Sequence, residues 1–154
     1  MPAAATLTGL EPLVITHLRE RLPDAVHVTP ARDLAGVVEN RQKTPAVQIY
    51  PRGYRVLETQ PAGALARFEV TFVAVVVVRT PKAQLDGAAA WDDVGPLADQ
   101  VLALLMGWRP GNGYGHLEAA NAPPPQWTPG GFGYFPLAFT STLTVRGEQQ
   151  RTGA

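Results

Sequence analysis

Two spacings of apolar residues alternate along this chain, one helical and one extended. Leu10, Leu13, Val14, Leu18 and Leu22 fall on one helical face, because residues three and four apart share a side at 3.6 residues per turn. Thr8, followed three residues later by Glu11, has the spacing of a capping box, and Pro23 stops the pattern. The spacing therefore predicts a first helix over about residues 9–22. Ala25–Thr29 alternates briefly and ends at Pro30, which suits an edge strand. Ala31–Thr44 has no clean period and mixed charge, and reads as a loop with room for a helical turn.

Extended spacing takes over from Ala46. Ala46–Tyr50 and Tyr54–Glu58 flank Pro51-Arg52-Gly53, whose turn chemistry fits either a hairpin or a sharply bent strand; Pro61 and Gly63 close the unit. From Ala66 to Val78, Phe68, Val70 and Phe72 alternate with Arg67, Glu69 and Thr71 before continuous valine begins. A strand that passes from a half-exposed edge into a covered centre has this pattern. Helical spacing returns after Pro81 in Trp91, Val94, Leu97, Ala98, Val101, Leu102 and Leu105, with Gly107 as the stop. Gly95-Pro96 interrupts it, so either the helix begins at Pro96 or two short helices meet at a kink. Glycine and proline between Gly107 and Gly133 leave room for a short strand around His116–Ala119. Tyr134–Arg146 then sets Leu137, Phe139, Ser141, Leu143 and Val145 against Ala138, Thr140, Thr142 and Thr144, an antiparallel strand buried on one face. The order helix, strand, hairpin, long strand, helix, strand predicts an α+β fold: a two-layer sandwich with a mainly antiparallel β-sheet covered on one face by two α-helices.

Size and composition bound what this fold can do. The 154 residues make one domain over 1–154, with an ordered core at about 8–146 and a flexible C-terminal tail at 147–154. A chain of this length buries about 70% of its unfolded surface, enough for a core without metal or disulfide. Cysteine is absent, which removes disulfides, thiolate metal sites and cysteine nucleophiles. Thirteen basic and thirteen acidic residues cancel, against a generally basic nucleic-acid binder. Met1–Thr8 lacks the basic and apolar regions of a signal peptide. The most apolar run, Phe68–Val78, has half the ~20 residues a membrane-spanning helix needs, so a soluble protein without a membrane partner is expected.

Candidate chemistry is sparse. His17, His27 and His116 form no ligand pair, and His17 lies within the apolar stripe of the first helix, where a structural histidine is expected. The only serine, Ser141, stands mid-strand without a nucleophile elbow and is expected to fill the sheet. Asp92 and Asp93 are adjacent, so they point about 100° apart on a helix and read as a solvated first-turn pair. Gly111-Asn112-Gly113-Tyr114-Gly115 resembles part of a phosphate loop but follows a helix end and lacks the lysine-serine that such a loop requires; it reads as an exposed, freely turning loop. Ala122–Pro136, with Pro123-Pro124-Pro125, Trp127 and Phe132, fits equally a docking segment or a stiff connector that packs an aromatic on the sheet edge. No catalytic residue, cofactor or metal ligand is assigned.

Charge changes the picture more. Arg32–Arg55 holds five basic residues and two acidic ones, whereas Ala83–Met106 holds four acidic residues and no basic one. Opposite patches on one subunit suit head-to-tail association of identical copies, in which a rotation closes a ring. Two solvated faces would have the same composition.

Several segments together resemble a known family. The first helix with its short strand, Thr44-Pro45-Ala46-Val47-Gln48-Ile49-Tyr50-Pro51, Gly53-Tyr54-Arg55-Val56, the valine-rich strand, and Val101-Leu102-Ala103-Leu104-Leu105-Met106-Gly107-Trp108 before a Gly/Pro loop resemble tail terminator proteins of tailed phages. The likeness is greatest to the Mu-like family of contractile tails, prophages included, and spans about residues 8–146. It implies a structural virion protein that forms a hexameric ring on the last ring of tail-tube protein, stops tube polymerisation and provides the head-joining surface. The implied partners are further copies of the chain (a homo-hexamer) and the tail tube protein, with sheath and head–tail connector proteins as neighbours. No sequence-specific nucleic-acid contact is implied, although DNA can pass through the ring, and the location is the virion after assembly in the host cytoplasm. The resemblance brings no catalytic residue. Interface candidates are Arg41, Lys43, Arg52 and Arg55 on the loop and hairpin, and Asp92, Asp93 and Asp99 on the second helix. A head–tail connector or tail-completion protein shares the same logic, and a monomeric cellular binding module using residues 107–133 is a further alternative. An enzyme is the reading the residues support least.

Overall fold

The computed structural model describes residues 5–80 and 87–148, with the side chains of all these except 87–91. Helix α1 spans Leu10–Arg21, β1 His27–Pro30, β2 Ala46–Thr59, β3 Leu65–Arg79, α2 Gly87–Leu105, β4 Glu118–Ala120, β5 Gln126–Trp127 and β6 Phe132–Arg146. The strands form one sheet in the order β1-β2-β3-β6-β4, with β5 on β6. Only β1 against β2 is parallel. The α+β architecture with a mainly antiparallel sheet and two helices is as expected.

Register assigns the two faces of the sheet. Val70, Phe72, Ala74, Val76 and Val78 of β3 point to one side and join Val47, Ile49, Phe139 and Leu143 under Leu10, Val14, Leu18, Val94, Val101 and Leu105 of the helices. The alternate residues Val73, Val75 and Val77 point the other way and form a smaller cluster with Ala46, Phe132 and Ala138, packed by Tyr50 and Tyr134. The continuous valine run is thus explained by a centre covered on both faces.

The second cover is the Ala31–Thr44 segment, which contains short 3-10 turns at Ala31–Leu34 and Glu39–Arg41. Its Glu39 carboxylate accepts hydrogen bonds from Tyr134 Oη at 2.7 Å and Thr128 Oγ1 at 3.0 Å. Gln42 Nε2 donates to the same tyrosine oxygen at 3.0 Å and accepts at Oε1 from Gln48 at 2.8 Å. These half-buried polar groups thus satisfy one another beside the valine cluster.

Three local expectations are corrected and one open alternative is decided. The capping box does not form: Gly9 is the N-cap and makes no side-chain cap bond. Glu11 is one position too early to reach back, and it turns inward, buried, to pair with Arg32. Gly9 is held by close packing, since a Cβ there would lie 2.8 Å from Thr6 Oγ1 and Tyr114 Oη.

Pro51-Arg52-Gly53 is not a hairpin turn; β2 continues as one bent strand with a bulge between Pro51 and Gly53, and Gly53 takes φ +115°. The reversal comes later, where Pro61–Gly63 forms a turn and Gln60 N donates to Leu65 O at 2.8 Å.

Helix α2 runs unbroken through Pro96, so it neither starts there nor divides in two. Proline removes one N–H, but Pro96 is on the exposed side of the helix, where the loss of one backbone hydrogen bond is tolerated best. Asp92 and Asp93 consequently lie beyond the first turn, away from the helix N-terminal dipole.

The strand expected at His116–Ala119 is β4, and β5 is an element with no sequence signal beyond Trp127. Residues 81–86, the Trp91 side chain and the tail beyond Glu148 lie outside the described residues; Gly147 itself donates to Ala64 O at 2.7 Å.

Candidate assembly surface

The catalytic candidates resolve into structural roles. His17 Nε2 donates to Leu104 O at 3.0 Å and its ring stacks on Trp108 at 3.7 Å. Burial holds its pKa below 6.5, with the Leu104 carbonyl opposing the shift. Ser141 Oγ, buried, donates to Gly115 O at 2.8 Å. His116 donates from Nδ1 to Gly107 O at 3.1 Å and accepts at Nε2 from Arg109 at 2.8 Å. Among the described residues no three His, Asp or Glu side chains converge as a metal site.

The 111–115 loop is not an exposed, freely turning one. Gly111, Asn112 and Gly113 have positive φ, which carries Tyr114 inward to full burial. Its hydroxyl accepts from Thr6 N at 3.0 Å and donates to Thr6 O at 2.6 Å, fastening the chain before α1. The proline-rich connector packs Trp127 against Gly133 so closely that a Cβ there would fall 1.7 Å from the indole. Of its two readings, this geometry matches the connector with an aromatic on the sheet edge.

The charged candidates separate into three places. Arg52, at the bulge, and Arg55 border a cleft of about 350 Å³ with Glu69, Thr71, Asn121 and Thr140 on the face away from the helices. Arg55 pairs with Glu69 across the strands at 3.2 Å. Arg52 donates to Asn121 O at 3.2 Å and has no carboxylate partner among the described residues. Arg41 and Lys43 are exposed but precede β2, beside the Glu39 clamp, and do not share that cleft. Asp92 and Asp99 are exposed on α2, seven residues apart and so on one face. Asp93 accepts a hydrogen bond from Thr80 Oγ1 and joins α2 to the end of β3.

A second recess was not foreseen in the sequence. A groove of about 500 Å³ between α1 and β2–β3 is lined chiefly by Leu7, Leu10, Pro12, Tyr54, Val70 and Phe72. Tyr54 and Val56 are 59% and 50% exposed beside it. Their alternation with Arg55 was the available signal, since it makes one side of β2 apolar beyond the reach of the helices. No described helix is long and apolar enough to cross a membrane.

No curated protein matches the chain. The model of the phage tail terminator protein family matches residues 7–150, nearly the whole length and every element described above. A sheet with charged and apolar surface recesses, whose His17 and Ser141 are spent on packing, agrees with such a role, and the chain belongs to the phage tail terminator family, as a structural component of the phage tail and not an enzyme.

Proposed function

We propose that this protein acts as a single-domain subunit of a ring of six, which caps the tail tube, stops its polymerisation and offers the surface to which the head joins. Family membership supports the terminator role. The observation that carries the ring is the charge left without an internal partner on different elements of one subunit, among the described residues. Arg52 is exposed without a carboxylate partner among the described residues, while α2 exposes Asp92 and Asp99 elsewhere. Unlike patches at different places on one molecule join head to tail, and such joining closes when each step adds a fixed rotation.

Arg41, Lys43, Arg52 and Arg55 belong to the basic side of this joint or of the tube contact, and Asp92, Asp93 and Asp99 to the acidic side. Asp93 contributes least, because Thr80 already occupies it. The tube protein is the axial partner, with sheath and head–tail connector proteins around it. The Mu-like, contractile-tail branch suits the resemblance of residues 44–56 and 101–108, prophages included. Assembly takes place in the host cytoplasm and ends in the virion.

Native mass spectrometry at several concentrations, with and without tail tubes, tests the ring. A closed hexamer is expected under at least one condition. A strict monomer that ignores tubes refutes the proposal.

A further inference from the structure

Among the described residues β1 accompanies β2 only from Ala46 to Ile49, and none forms a strand on the outer side of β2 from residue 50 onward. A long bare edge is a template for association unless something covers it. This edge has two different sides. Tyr54 and Val56 pair with Val70 and Phe68 on the side of the apolar groove, which Tyr54 lines, whereas Arg55 faces the opposite way with Glu69. Arg52, at the bulge, borders the same cleft as Arg55.

Helix α2 presents the counterpart. Asp92, Pro96, Asp99, Ala103 and Met106 are all exposed and recur every three or four residues, which places them on one stripe. Met106 is 52% exposed, an unusual position for a large apolar side chain beside a buried Leu105. The stripe is acidic toward one end and apolar toward the other, and residues 87–106 contain no basic side chain. From Asp99 to Met106 it measures about 10 Å at 1.5 Å per residue, and β2 from Arg52 to Arg55, which lies between Tyr54 and Val56, measures about 10 Å at 3.3 Å per residue. The lengths, the charges and the apolar ends correspond, and the two surfaces belong to different elements of one subunit.

We infer that the exposed α2 stripe of one copy lies along the bare β2 edge of the next and meets both of its sides, with Met106 against Tyr54 and Val56 on one and Asp99 toward Arg52 on the other. The contact is a helix laid along a strand edge that is apolar on one side and basic on the other, and it rests on the ring reading above by naming its joint.

The absence of cysteine makes the contact directly testable. Val56→Cys and Met106→Cys proteins, mixed and oxidised, form a heterodimer on a non-reducing gel, while each alone stays monomeric. The double variant forms a ladder that ends at the ring's subunit number. Both positions are about half exposed, so the fold tolerates them. Independently, Asp99→Arg raises the concentration needed for assembly about tenfold, equivalent to about 1.4 kcal/mol, and adding Arg52→Asp recovers much of it. If the unmodified chain forms a ring but mixture and double variant give only monomer bands, the joint lies elsewhere and this inference is overturned while the ring reading stands. Homodimers from Val56→Cys alone overturn it too, since edges would then meet each other. A chain that is monomeric throughout removes both readings.

Discussion

Trp108 stacks on His17 with ring centroids 3.7 Å apart and planes 15° from parallel, just past the end of α2. The pair joins α1 to the C-terminal end of α2, and His17 also satisfies the carbonyl of Leu104, one of the last helix carbonyls left without an intrahelical partner. Burial lowers the histidine pKa below 6.5. The neutral form is therefore favoured in the folded state, and its contribution to stability is complete above pH 6.5, then lost as pH falls through the lowered folded value. His17→Phe keeps a ring on Trp108 but cannot titrate. Thermal midpoints between pH 5 and 8 are expected to fall on the acid side less steeply for His17→Phe than for the unmodified protein. Identical slopes would rule out His17 as the sensing group. At pH 7.5 the variant is expected to be about 1 kcal/mol less stable through the lost hydrogen bond.

The clamp on the second face of the sheet rests on Tyr134. Its hydroxyl donates to Glu39 and accepts from Gln42, and burial together with the Glu39 carboxylate raises its pKa above 10. Tyr134→Phe keeps the ring over the small valine cluster but strips a partner from both Glu39 and Gln42. A buried group left unsatisfied costs about 1–3 kcal/mol, so urea unfolding is expected to shift to lower concentration by that amount. A shift below about 0.5 kcal/mol would mean that water replaces the hydroxyl and that the clamp is not a closed network.

Gly133 tests the connector. Its Cα side is filled by the Trp127 indole, and Gly133→Ala forces the ring away from β6. Overpacking of this kind costs about 1–3 kcal/mol, and Trp127 fluorescence is expected to shift red as the ring meets water. If 127–133 were instead an unattached docking segment, neither stability nor emission would change.

What was legible in the sequence follows from where local pattern and tertiary contact agree. The strands over 66–78 and 134–146 and the helix over 10–21 announce themselves because each buries a fixed face, so apolar spacing reports their geometry directly. Helix α2 was legible in its apolar stripe but not in its start, because Pro96 points to solvent and therefore fails to break it. Glu11 was misread because its partner, Arg32, is remote in sequence, and no local rule registers it. The 31–44 clamp and β5 depend on single side chains, Glu39 and Trp127, meeting β6, which spacing cannot express. Of the charged candidates, composition found the right residues without their neighbours. It could not tell that Arg55 and Asp93 are engaged within the subunit, whereas Arg52, Asp92 and Asp99 face outward.

That distinction decides which charge reversal is informative. Arg55→Glu would place a second carboxylate opposite Glu69 on the neighbouring strand and damage the sheet itself, since like charges directly across strands repel. Arg52→Glu removes only an exposed hydrogen bond to Asn121 O and should change stability by no more than about 0.5 kcal/mol. Its effect on assembly is expected to be larger. A glutamate at the bulge would meet the acidic stripe of a neighbouring α2, and the repulsion should be felt most at low ionic strength, because the screening length is about 30 Å at 0.01 M salt and about 10 Å at 0.1 M. Association of the Arg52→Glu protein, followed by light scattering at both salt concentrations, should be weakened in each and more severely in the first. If the loss is the same at both concentrations, Arg52 acts through shape and not through charge, and if there is no loss, β2 does not form the joint.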